Sequence, residues 1–327
     1  MHLPDCQLLL TGGTGFMGRA LLRHWQQHPA DRPKTVVAIS RNPKGFAESF
    51  PDLACAPWLD LRYGDVVQPD TLPKQGFEHV IHAAADSTAG PRLSPIERYT
   101  QIVDGSRHVL QVAVTAGAKR FLLLSSGAVY GSRNAAHPDP DENDFGAPDP
   151  LKPENAYGMG KRAAEHLAAL TQRDHGLEVI IARCFAFVGR DLPLDVHFAI
   201  GNFIRDALTR EKITVAGDGT PIRSYMDQRD LSRWLLTLLC QGKAGHAYNV
   251  GSEEAISIAD LAHLVRDTLA PEKPVLITHE QSIQLRSRYV PSTLKARQEM
   301  KLNQQVSLIE SIMTTANLSN LSSVPRL

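Results

Sequence analysis

Short apolar runs separated by helical stretches dominate the first half of the chain. Residues 7–10 (QLLL), 35–39 (TVVAI), 79–83 (HVIHA), 120–124 (RFLLL) and 178–182 (EVIIA) are apolar over most of their length and too short for helices. They read as strands. Strand and helix alternate here, which predicts a doubly wound parallel sheet of the Rossmann α/β class. Between the last two runs, residues 135–153 are rich in Pro and Asp and read as a long surface loop in a position to act as a lid.

From about residue 189 the pattern breaks into shorter pieces at 198–209, 213–215, 228–240 and 258–269. In the last, Ile258, Leu261, Leu264, Val265 and Leu269 recur at helical spacing. The expected organisation is a dinucleotide-binding domain over 1–188 and a smaller, substrate-binding α/β domain over 189–315, some of whose segments return to the first. The Ser/Asn-rich stretch 316–327 reads as a frayed tail.

Composition narrows the class of partner. The 327 residues suffice for a large buried core. Thirty-five basic and 35 acidic side chains cancel, with no basic run, so neither a nucleic-acid nor a membrane-surface footprint is visible and the expected partner is a small molecule. Cys6, Cys55, Cys184 and Cys240 are widely separated, form no metal-like pair, and read as core thiols in a reducing cytoplasm. The apolar run at Leu8, Leu9 and Leu10 is too short for a signal peptide or membrane span, so a cytoplasmic chain is expected.

Residues 11–18, TGGTGFMG, follow a strand and open a helix, the context a dinucleotide-binding turn requires. Gly12, Gly15, Phe16, Met17 and Gly18 are therefore expected cofactor contacts. At the end of the second strand stand Ser40, Arg41 and Asn42, where a site for NAD commonly carries an acid for the ribose hydroxyls. Arg41 can pair with a 2′-phosphate, which favours NADP over NAD. Asp65 and Val66 are placed to meet the adenine. Tyr157 and Lys161, four residues apart at the head of a helix, share one helix face, so an ammonium can sit beside a phenol and a bound nucleotide.

These residues together resemble the extended short-chain dehydrogenases/reductases, specifically the NAD-dependent epimerase/dehydratase family that modifies nucleotide sugars. The resemblance rests on the glycine turn, on Ala83, Ala84 and Ala85, on the SSGAVYG segment 125–131, and on the Tyr157/Lys161 pair, and it runs to about residue 300. It implies Ser126, Tyr157 and Lys161 as catalytic residues, with Ala83, Ala84, Tyr157 and Lys161 also touching the cofactor. It further implies Asn202, Arg223 and Asn249 as contacts for the diphosphate of a nucleoside-diphosphate sugar, and a homodimer formed through helices at 96–116 and 157–171. One departure is Ile102, where the family's N-x-x-G-T segment has Asn.

The side chains indicate the chemistry. Hydride leaving a carbinol carbon must be matched by a proton leaving its oxygen, and Tyr157 is the candidate base. Bringing a phenol from about 10 to near 7 takes roughly 4 kcal/mol. An ammonium about 5 Å away at an effective dielectric near 20 supplies about 3 kcal/mol, so Lys161 is expected to provide most of the shift. Ser126 is expected to hydrogen-bond the reacting oxygen. The family's 4,6-dehydratases follow the catalytic Thr with an Asp-Glu pair, and its 3,5-epimerising reductases follow the Ser with Cys, whereas this chain has Gly127 and Ala128. Both of those reactions are therefore disfavoured. Hydride transfer at one sugar carbon, C4, remains: reduction of a 4-keto sugar nucleotide, or 4-epimerisation (an isomerase) with retained NAD. Arg41 tips the choice to the NADP-dependent reductase. Cys184 and His197 are candidates for extra acid/base groups, with core thiol and surface imidazole the preferred readings. A non-catalytic NADP-binding sensor or scaffold on the same fold is the alternative of another class, and a sensor would have no use for a Ser/Tyr/Lys set.

Overall fold

The computed structural model describes residues 3–85, 93–196, 198–280 and 286–322. Its first unit comprises the chain up to Gly131, Phe145–Cys184 and Ser232–Tyr248. Here β1 (Gln7–Thr11), α1 (Phe16–Gln27), β2 (Thr35–Ser40), α2 (Pro43–Ser49), α3 (Pro51–Ala54), β3 (Leu59–Tyr63), β4 (His79–His82), α4 (Pro95–Thr115), β5 (Arg120–Ser126), α5 (Ala156–His175) and β6 (Glu178–Cys184) follow one another. The second unit takes Ser132–Asp144, Phe185–Leu231 and the chain from Asn249 onward. It holds β7 (Phe187–Val188), α6 (Ala199–Thr209), β8 (Ile213–Val215), β9 (Ile222–Arg223) and β10 (Met226–Asp227). Then α7 (Gln228–Gln241) and β11 (His246–Val250) return the chain to the first unit. The remainder is β12 (Ile256–Ser257), α8 (Ile258–Leu269), β13 (Val275–Ile277), β14 (Arg288–Tyr289), α9 (Leu294–Met300) and α10 (Leu308–Ser322).

The apolar runs become a seven-stranded sheet in the order β11-β6-β5-β4-β1-β2-β3, with β1 to β6 paired in parallel. Parallel strands lie between helix layers, so β4 and β5 are buried along their whole length. The edge strand β3, LDLRY, is buried only at its start. Core side chains Leu9, Val37, Val80, Phe121 and Val179 pack with Val109 of α4 and Ala164 of α5. Strand order reverses between β1 and β4, whose ends Thr11 and His82 are register partners. In open α/β sheets, ligand crevices form at the carboxyl ends of the strands beside such a reversal.

Several expectations are corrected. The segment 135–153 is not a free lid. Its first part is bound into the second unit, where Arg288 pairs with Asp139 at 2.6 Å, Ser292 N–H donates to the Pro140 carbonyl, and Arg133 pairs with Asp144. Its last part lies in the first unit, where Arg162 donates to the Gly146 carbonyl at 2.9 Å. The expected frayed tail is helical to Ser322, because α10 buries Ile312, Thr315 and Ala316. Residues 323–327 lie outside the described residues. Cys55 is exposed rather than a core thiol, and Cys6 and Cys240 are half-buried. Among the described residues, no helix is long and apolar enough to cross a membrane, and no cluster of three or more His, Cys, Asp or Glu could hold a metal ion.

Candidate active site

The glycine turn bends where β1 ends. Gly12 has φ +71°, and a Cβ there would lie 2.6 Å from the Ala83 carbonyl, so only glycine lets the turn approach the loop after β4. At Gly18 a Cβ would stand 2.3 Å from the Gly12 oxygen, which fixes the first turn of α1 against the glycine turn. Gly15 is the N-cap of α1 and offers no side-chain cap. The helix therefore starts with backbone N–H groups that a phosphate can satisfy.

A cleft at this point is lined by Gly12, Gly15, Phe16, Arg41, Asp65, Val66, Ala83 and Ala84, so it brings together these expected cofactor contacts. Gln101 of α4 also lines it and escaped the sequence reading. Met17 and Gly18 are not among the lining residues, and the role of Gly18 is packing. Asn42 caps α2 by accepting from Gly45 N–H, and Arg41 beside it is exposed at the rim.

Beneath the turn runs a buried polar chain. The Ser106 hydroxyl donates to the Ile102 carbonyl at 2.7 Å, so its oxygen must accept from His82 Nε2 at 3.2 Å. Burial pushes His82 down to about 3, keeping it neutral. Its Nδ1 then accepts from the Thr11 hydroxyl at 2.7 Å, and the Thr11 oxygen accepts from Ala84 N–H at 3.3 Å. The end of β1, the loop after β4 and α4 are thus joined by one directional chain. No short-range sequence signal could have found it, because Thr11 and His82 are 71 residues apart.

The catalytic candidates meet at the end of β5. Ser126 is buried, its oxygen accepts from Ala128 N–H at 3.2 Å, and its side chain hydrogen-bonds Tyr157. Two glycines in the YGMGK segment seat α5. A Cβ on Gly158 would lie 2.6 Å from the Ala128 oxygen, and one on Gly160 would press on Ile102 of α4. The unexpected Ile102 thus packs against α5.

Lys161 is buried, and its Nζ donates to the Leu124 carbonyl at 2.7 Å. Burial lowers its pKa to about 8, against the opposing pull of Cys184 and Glu165. Burial also raises the Tyr157 phenol, opposed by the Ser126 hydrogen bond and the Arg98 guanidinium. The cation beside the phenol is Arg98, whose guanidinium carbon lies 4.4 Å from the Tyr157 ring centroid. Burial drives the Cys184 thiol up to about 12, as for a core thiol. His197 lies outside the described residues.

A model of the NAD dependent epimerase/dehydratase family matches residues 8–251. The chain belongs to this family. It is 29% identical over 306 residues to UDP-glucuronic acid decarboxylase 1 of Arabidopsis thaliana, covering 94% of this chain and 68% of the relative. It is 27% identical over 296 residues to dTDP-glucose 4,6-dehydratase of Neisseria gonorrhoeae, covering 84% of this chain and 82% of the relative. The structure of DesIV, a dTDP-glucose 4,6-dehydratase from Streptomyces venezuelae with NAD and TYD bound, matches with a TM-score of 0.82 at 25% identity, over 96% of this chain and 97% of that one.

The expected substrate contacts lie in the second unit. Arg223 on β9 is half-buried, donates to the Ile222 carbonyl at 2.8 Å, and has its pKa lowered by burial. Asn202, in the first turn of α6, accepts from Arg205 at 3.0 Å. Asn249 is corrected: it is fully buried, and its amide donates to the Pro140 and Ser292 carbonyls at 2.9 Å each. Both amide donors are thus committed to holding the fold.

Proposed function

We propose that the protein transfers hydride between a nicotinamide cofactor and C4 of a nucleoside-diphosphate sugar, in the direction of 4-keto reduction. The observation that carries this reading is the hydrogen bond between the Ser126 and Tyr157 side chains, flanked by Gly127 and Ala128, which can carry no proton. A decarboxylase and a dehydratase stand among the relatives at comparable identity, so family membership alone does not narrow the reaction. The absence of a second acid/base pair beside Ser126 is our ground for narrowing it.

The glycine turn and the uncapped start of α1 fit a dinucleotide pyrophosphate, with Asp65 and Val66 toward its adenosine end. The cofactor, when bound, supplies or accepts the hydride. The chain's own residues handle the proton. A phenol raised by burial stays protonated at neutral pH, the state needed to give a proton to a carbonyl oxygen. Ser126 orients that phenol, and Arg223 is the candidate contact for the diphosphate. Arg41 at the rim supports NADP over NAD, and DesIV, solved with NAD, and a Pseudomonas aeruginosa RMD, solved with NADPH, illustrate both choices on this fold.

Mass spectrometry of ligands carried through purification, with NADPH oxidation measured on a panel of 4-keto sugar nucleotides, tests the reading. An empty site that consumes NADPH is expected. A retained dinucleotide that is never consumed would indicate 4-epimerisation instead. Tyr157→Phe should abolish turnover while leaving cofactor bound, and retained turnover would remove Tyr157 from the mechanism.

A further inference from the structure

Arg98 stands one turn into α4, behind a fixed start. Pro95 opens the helix, and Ser94 and Glu97 cap it reciprocally, with Ser94 N–H donating to Glu97 at 2.8 Å. The nearby acids of α4 are engaged elsewhere: Glu97 in that cap and Asp104 with Arg107 at 3.0 Å. The guanidinium of Arg98 instead stacks on Tyr157, and its Nε is buried with no hydrogen-bond partner among the described residues. Removing a guanidinium edge from water without a hydrogen bond is costly. The face of an aromatic ring offsets part of that cost.

We propose that Arg98 is a positioning residue for Tyr157: from the α4 side its guanidinium holds the phenol in place and stabilises the negative charge the ring carries once the hydroxyl has released its proton. The groups that face this phenol come from four elements. Ser126 reaches it from the end of β5 as a neutral hydrogen-bond partner, and Cys184 from the end of β6 as a protonated thiol. Lys161, one turn along α5, directs its ammonium to the Leu124 carbonyl. Arg98 from α4 is the cation that lies on the ring. It attracts a phenolate far more than a neutral phenol, and therefore favours proton release.

The value of this to catalysis rests on Tyr157 acting as proposed above, but its effect on the phenol does not, so the test reads the phenol directly. Cofactor-free protein is labelled with 3-fluorotyrosine, and fluorination brings phenol ionisation into a lower pH range. The Tyr157 resonance is assigned by its loss in Tyr157→Phe, and its ¹⁹F shift is followed through a pH titration. A unit charge at this range shifts an ionisation by about two pH units at an effective dielectric near 20, and partial exposure of Arg98 reduces that to about one. Arg98→Met should therefore raise the Tyr157 midpoint by about one pH unit, and Arg98→Lys, which keeps the charge, should hold it near the wild-type value. An unmoved midpoint in Arg98→Met overturns the proposal. So does a shift in Arg98→Lys as large as that expected for Met, and this second arm decides the matter if the Met variant does not fold. A moved midpoint in a protein that turns over no sugar nucleotide would leave Arg98 as assigned and refute the enzymatic reading alone.

Discussion

Replacing Lys161 by Met removes a buried charge, and the consequence for stability has a definite size and pH window. Burial lowers Lys161 from 10.5 to about 8. Below pH 8 the folded and unfolded chains both hold this proton. Between pH 8 and 10.5 the unfolded chain still holds it while the folded chain has shed it, so wild-type stability rises with pH across that window. The full difference is worth about 3 kcal/mol, of which about 2 kcal/mol is reached by pH 9.5. Lys161→Met has no such titration. It loses the bond to the Leu124 carbonyl, at a cost of roughly 1–3 kcal/mol that does not vary with pH. Urea denaturation of cofactor-free wild type and variant, followed by far-UV circular dichroism at several pH values from 7 to 9.5, isolates the effect. Titrations common to both proteins cancel in the difference. Wild type should gain about 2 kcal/mol on the variant over that range. A pH-independent difference would refute the claim that Lys161 sits in the fold as a desolvated ammonium.

Gly12→Ala places a methyl group against the Ala83 carbonyl at a positive φ, so it should destabilise the protein by about 1–3 kcal/mol and weaken dinucleotide binding at least roughly tenfold by calorimetry. Unchanged affinity would show that the turn does not cradle the cofactor. Arg41→Ala should lower NADP affinity by about 1–3 kcal/mol while leaving NAD affinity unaltered in fluorescence titrations, and an equal loss for both would refute 2′-phosphate recognition. Thr11→Val removes the donor to His82 Nδ1 and the acceptor for Ala84 N–H, which should cost about 1–3 kcal/mol in chemical denaturation. A neutral substitution there would mean that the buried chain does not hold the two loops together.

How much of this was legible in the sequence depended on the range of the interactions involved. The five apolar runs became central strands because a strand buried on both faces must be apolar throughout. The last helix of regular spacing, α8, spans Ile258–Leu269 as its periodicity predicts. The cofactor turn was legible because strand, glycines and helix are contiguous. Which segments beyond residue 189 return to the first unit was not, since α7 and β11 do so through long-range packing that no local pattern encodes. The lid reading of 135–153 failed for the same reason: Pro and Asp mark a loop, but Asp139 meets an arginine 149 residues away. Asn249 resembled a ligand contact by motif, yet its burial commits it to backbone carbonyls. Arg98 carries no local signal, because it is α5 that brings Tyr157, 59 residues later in the chain, against it.

The Tyr157/Lys161 spacing acquires a geometric cause once α5 lies beside β5. Tyr157 meets Ser126, and Lys161 meets the carbonyl of Leu124, two residues earlier on the strand. Four residues of helix rise about 6 Å. Two residues of parallel strand rise about 6.6 Å. The two intervals match, so one helix face can place a side chain against each of these two strand positions. The order is reversed, later on the helix and earlier on the strand, as it must be for a crossover helix running antiparallel to the parallel strands it connects. A spacing of three would rotate the ammonium around the helix and shorten the interval to about 4.5 Å, out of step with the strand. Gly158 and Gly160 permit the approach that makes this register possible, one against the turn after β5 and one against α4. Lys161 thus anchors the helix to the strand one turn beyond the phenol, and Arg98, held by α4 across Gly160 and Ile102, is left to supply the charge at the ring itself.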